Sequence, residues 1–70
     1  MKISIKIYNL NKSSDINAIR NILINEEGIL ACEISKVKKE VQIVYDNLTI
    51  SSDDIINLIE IAGYMIEDYL

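Results

Sequence analysis

Apolar residues along this chain switch between a period of two and a period near 3.6, and each switch marks an element. From Met1 to Tyr8 the pattern alternates, with Ile3, Ile5 and Ile7 on one side and Lys2, Ser4 and Lys6 on the other. That predicts a half-buried strand. Asn9 to Ser14 is a polar loop interrupted by Leu10, and Ser13 or Ser14 can cap a helix, with Asp15 suited to the positive end of its dipole. Ile16, Ile19, Ile22 and Leu23 then recur at helical spacing until Gly28 supplies an exit. A second strand is predicted over Ile29 to Lys36, with Leu30, Cys32 and Ile34 on its inner face. Val37 to Glu40 reads as a tight polar turn, and Val41, Ile43 and Tyr45 alternate along a third strand that completes a hairpin.

Asp46 to Ile50 connects to a second helix, capped by Ser51 or Ser52, with Asp53 and Asp54 in its first turn. Ile55, Leu58, Ile59 and Ala62 line its predicted buried side, Gly63 ends it, and Tyr64 to Leu70 forms a last strand. The order β, α, β, β, α, β predicts an α+β, ferredoxin-like fold. Its sheet would be four-stranded and antiparallel, with both helices on one face. Residues 1–70 then form a single domain.

Composition narrows the function. Half of the residues are hydrophobic, proline is absent, and there is one cysteine and no histidine. Neither an internal disulfide nor a histidine-based zinc site can staple the core, so it must hold on packing. The single thiol and the missing leader pattern lead us to expect a reducing, cytoplasmic setting. No apolar run reaches the ~20 residues of a membrane span, so membrane insertion is not expected. The net charge of −4 argues against a general nucleic-acid binder and favours a basic partner.

No catalytic set emerges, because histidine is absent and the only strong nucleophile, Cys32, has the parity of a core residue. The two glycines are each explained by a helix end, which leaves no phosphate loop. The carboxylates Glu26, Glu27, Asp53, Asp54, Glu60, Glu67 and Asp68 lack the dense spacing of an oxygen cage. A non-enzyme without a bound cofactor is expected.

Several local sequences carry a resemblance. Glu27-Gly28-Ile29, Val41-x-Ile43-x-Tyr45-Asp46 and Ile55-x-x-x-Ile59-Glu60-x-x-Gly63-Tyr64 occur in order. Their spacing resembles the heavy-metal-associated domains of copper metallochaperones without insertion or deletion. The resemblance implies the βαββαβ fold and a role related to heavy-metal transport. It implies partners such as a heavy-metal-transporting P-type ATPase or a similar domain, docked through the metal loop and the two helix starts.

The departure falls on the family's metal motif, Gly-Met-Thr-Cys-x-x-Cys. Here Lys12 and Asp15 stand at the two cysteine positions and Leu10 at the methionine. Cu(I) is selected by soft thiolates, whereas Lys12 offers an ammonium and Asp15 a hard carboxylate, so no metal is expected at these degenerate positions. Leu10, Asn11, Lys12, Asp15 and Tyr64 remain as an interaction surface. Within it, Lys12 is read as a solvated residue or as a fixed cation where relatives hold metal. Tyr64 is expected to pack over the sheet edge with its hydroxyl in water, and Cys32 to be an inert core thiol. Two other readings stay open: a metal site completed by a partner or second copy, and a small-molecule regulatory domain of the ACT type.

Overall fold

A computed structural model describes Met1–Leu70. The elements are β1 (Lys2–Ile7), α1 (Ser13–Ile24), β2 (Ile29–Ser35), β3 (Glu40–Tyr45), α2 (Ser52–Ile61) and β4 (Ile66–Tyr69). The strands pair in the order β2-β3-β1-β4, with every neighbouring pair antiparallel. This is the ferredoxin-like arrangement expected from the order of elements.

Alternation along β1 and β3 builds one wall of the core. Ile3, Ile5 and Ile7 are buried beside Val41, Ile43 and Tyr45, because the two strands run antiparallel with Ile3 opposite Ile43 and Ile5 opposite Val41. The other wall is helical, made by Ile19 and Leu23 of α1 and Ile55 and Ile59 of α2, all in the same cluster. Every buried residue is hydrophobic. Each such side chain stabilises the fold by about 1.5–3 kcal/mol relative to exposure, so packing alone supplies what cross-links do not.

Three local expectations are corrected. Leu30 does not face the core: it is 67% exposed. The register of β2 on β3 slips between Ile29 and Ala31, which leaves Leu30 as the extra residue of a β-bulge. The slip resets the alternation, so Ile29, Cys32 and Ile34 are the residues that pack against the core. Ala62 is exposed, since it is the cap residue of α2 and no longer part of its buried stripe. The cap of α1 is Lys12, so Ser13 and Ser14 are already helical.

The helices run antiparallel, which fixes what lies at each end of the molecule. Tyr64, just past α2, reaches Asp15 at the start of α1. At the other end the carbonyl of Gly28, beyond α1, accepts from Asp46 N–H at 2.8 Å. There Glu26, Glu27 and Asp54 line a cleft of ≈ 360 Å³ beside the start of α2. The loop between β1 and α1 therefore shares its end with one helix start and one helix exit. Docking through two helix starts, as the resemblance implied, does not fit this geometry.

Candidate functional site

Leu10 anchors the loop between β1 and α1, because its side chain is completely buried. It supports the loop from within the core and is not on the interaction surface where the sequence placed it. Leucine can fill the place of a buried methionine because the apolar volumes are similar. Asn9, at the start of the same loop, ties it sideways. Its side-chain N–H donates to the carbonyl of Gly63 at 3.2 Å, and its carbonyl oxygen accepts from Met65 N–H at 2.8 Å. One amide thus fastens the loop to the segment joining α2 and β4.

Asp15 closes the arrangement. It stands at the third position of α1, where one oxygen of its carboxylate accepts from Asn11 N–H at 3.0 Å and from Lys12 N–H at 2.9 Å. This is half of a capping box. The other half is missing because Lys12, at the cap itself, has no acceptor. The start of α2 shows the complete form, in which Asp54 accepts from Ser51 N–H while Ser51 Oγ accepts from Asp54 N–H. At α1 the second carboxylate oxygen is instead taken by Tyr64, whose hydroxyl donates to it at 3.0 Å.

Tyr64 therefore does not leave its hydroxyl in water, as the sequence led us to expect. The half-buried ring spans from the exit of α2 to the start of α1. The charges follow the geometry. The N–H groups of Asn11 and Lys12, then the Tyr64 hydroxyl, hold the Asp15 carboxyl below its ordinary range, and the Lys12 ammonium adds to this. Burial, reinforced by the bond to the Asp15 anion, pushes the Tyr64 phenol up.

Asn9, Asn11, Lys12, Asp15 and Tyr64 are thus brought to one end of the molecule. Asn11 and Lys12 are exposed there. Cys32 is elsewhere: it lies half-buried on the edge strand β2, opposite Ile43. The donors at the loop do not fit a soft cation. Asp15 has both oxygens committed to hydrogen bonds, and a protonated lysine has no lone pair to offer. The Asn9 bridge and the Tyr64 bond escaped sequence reasoning. The resemblance set Tyr64 near Lys12, but nothing in the sequence marked its bond to Asp15 or the bridge from Asn9.

No protein-family profile matches the chain, and no curated protein sequence matches it. Solved structures do. The copper transporter domain Ccc2a of yeast is 30% identical, over 94% of this chain and 90% of that one, with a TM-score of 0.86. A chain in the Atx1–Cu(I)–Ccc2a complex is 29% identical, over 96% of this chain and 94% of that one, with a TM-score of 0.82. The putative copper-ion-binding protein of Bacillus anthracis is 18% identical, over 96% and 94%, and superposes with a TM-score of 0.90.

Proposed function

The chain belongs to the heavy-metal-associated domain family, and on that footing we propose that it is a non-catalytic protein-interaction module whose metal site is degenerate. The loop that carries the cargo cation in copper-handling relatives is here held by the protein's own side chains. One observation carries this reading: Asp15 bridges Asn11 N–H, Lys12 N–H and the Tyr64 hydroxyl at 2.9 to 3.0 Å. A loop shaped from within presents the same surface whether or not copper is present.

The partner is then a protein that reads the shape of this end, of the kind seen in the Atx1–Cu(I)–Ccc2a complex: a heavy-metal-transporting P-type ATPase or a similar domain. Such an encounter would take place in the cytoplasm. No helix is long and apolar enough to cross a membrane.

A Cu(I) titration under reducing conditions against a chromogenic chelator tests the reading. The chain is expected not to compete for copper, whereas the Lys12→Cys/Asp15→Cys double variant should, because it restores two thiolates on the same scaffold. Withdrawal of copper by the unmodified chain would overturn the proposal and turn attention to Cys32 shared between two copies.

A further inference from the structure

The two edges of the sheet differ. β4, at one edge, has four residues and carries Glu67 and Asp68, and a short charged strand discourages further pairing. β2, at the other edge, has seven residues and a single charge, Glu33. Leu30, Ala31 and Glu33 are exposed along it. A long, mostly uncharged edge is a template for another strand.

Backbone bonds show which groups of β2 are free. Met1 and Tyr45 exchange both of their bonds at 2.9 Å, and Ile7 N–H donates to the Lys39 carbonyl at 2.8 Å. Bonded pairs alternate along an antiparallel ladder, so the odd residues of β3 bond to β1, while Glu40, Gln42 and Val44 are turned toward β2. Opposite these three stand Ser35, Glu33 and Ala31. The N–H and C=O groups of Cys32 and Ile34, which alternate with them, therefore point to the open edge.

The charges flanking the strand say what fits there. Glu26 and Glu27 precede β2, and Lys36, Lys38 and Lys39 follow it, so this edge runs from negative to positive. The other carboxylates at the lysine end belong elsewhere in the sheet. Glu40 stands between Lys6 and Ser35 in the ladder, and Glu67 and Asp68 lie at the far edge. Three strand spacings, about 14 Å, separate the two edges.

A second copy of β2 laid antiparallel meets this gradient in reverse, so the lysines of each copy come against the glutamates of the other. The register follows from the side chains. A two-fold axis at Glu33 sets two carboxylates directly opposite, which is destabilising. An axis at Ile34 sets Lys38 level with Leu30 and misses the glutamates. An axis at Cys32 sets Lys38 level with Glu26. It also sets Ile34 level with Leu30, the apolar residue that the bulge leaves exposed.

We propose that β2 pairs with β2 of a second copy of this chain, antiparallel about Cys32, joining two sheets into one. The same patch serves both copies, so the contact closes at a dimer and leaves only the short acidic β4 edges outside. This pairing uses no residue of the Asn9–Asp15 loop, so it stands or falls independently of the copper reading.

Sedimentation equilibrium at rising concentration, at low salt with a copper chelator present, should show monomer passing to dimer. The association should weaken with salt, since screening acts within about 8 Å at physiological ionic strength. Exchange of charge is the sharper test. The Lys36→Glu/Lys38→Glu and Glu26→Lys/Glu27→Lys variants should each self-associate roughly tenfold more weakly, because like charges then meet at both junctions. An equimolar mixture of the two should associate at least as well as the unmodified chain. Amide spectra of the dilute variants should match the unmodified one away from the exchanged residues. In a mixture of labelled and unlabelled chain, the Hα of Ala31 in one copy should contact the Hα of Glu33 in the other. A monomer at every concentration up to millimolar would overturn the proposal. So would a mixture that associates no better than either variant alone, or contacts between copies at β4 or at the Lys12 loop. A dimer that forms only without the chelator would also overturn it and point to metal shared between copies.

Discussion

The two glycines offer a controlled comparison, because both have φ +97 yet meet different surroundings. An added Cβ at Gly63 meets nothing within 4 Å. At Gly28 it would lie 2.8 Å from Ile50 Cγ2 and 3.1 Å from both Thr49 Cβ and Thr49 Cγ2. Replacement by alanine at either site carries the left-handed backbone cost, about 1–2 kcal/mol. Gly28→Ala adds an overpacking cost of about 1–3 kcal/mol. Relief is hard there, because Ile50 is 6% exposed and so cannot swing out without opening the core, while Thr49 Cβ is fixed to the backbone. The expected total is about 2–5 kcal/mol for Gly28→Ala and about 1–2 kcal/mol for Gly63→Ala.

These sums are large for this domain. At about 0.05–0.15 kcal/mol per residue, a chain of 70 residues has roughly 3.5–10 kcal/mol in total. Urea unfolding followed by far-ultraviolet circular dichroism reads the difference directly. With a slope near 1 kcal/mol/M, the Gly28→Ala midpoint should fall about 1–3 M below that of Gly63→Ala. Equal midpoints would refute the reasoning, since the backbone cost is common to both and only the contact differs. A lower midpoint for Gly63→Ala would show that the exit of α2 is the tighter place.

Three further outcomes follow from the loop. Tyr64→Phe should raise the Asp15 carboxyl titration toward the ordinary range without restoring it, because the bonds from Asn11 and Lys12 N–H are the larger causes and survive; carboxyl-detected NMR against pH checks this. Since the folded state lowers that pKa, the stability linked to Asp15 is present above the ordinary aspartate range and lost as pH falls through the folded value. Asp15→Asn should remove that acid-side dependence in urea midpoints measured between about pH 5 and pH 2. Leu10→Ala should cost about 2–5 kcal/mol in the same urea assay and Leu10→Met less than about 1.5 kcal/mol, as expected for a completely buried side chain beneath the loop.

Most of the fold was legible because it rests on periodicity. Ile3, Ile5 and Ile7 announce a strand, and Ile55 with Ile59 a helix face, and all five are buried as their spacing requires. The misreadings arise where local pattern is overruled by pairing. Leu30 had the parity of a core residue, but parity counts from the bulge, and nothing in Gly28-Ile29-Leu30-Ala31 marks where the slip falls. Ala62 extended a helical stripe that the chain had already left. At the loop, Asp15 was visible as a helix-start residue, whereas its bond to Tyr64 spans 49 positions and exists only because α2 runs antiparallel to α1.

The same reversal of α2 governs where the charges lie. A sum over the sequence treats Lys12 and Lys36–Lys39 as scattered among eleven carboxylates. The fold gathers the four lysines at one end but sets Glu40, Glu67 and Asp68 beside the end of β1 and Glu60 in the last turn of α2 near them. The turn between β2 and β3 and the loop after β1 must lie at the same end, because β2 and β1 run in the same direction on either side of β3. The exit of α1 and the entry of α2, with their glutamates and aspartates, must lie at the other. Partner chemistry in a domain this small is therefore a property of connectivity as much as of composition.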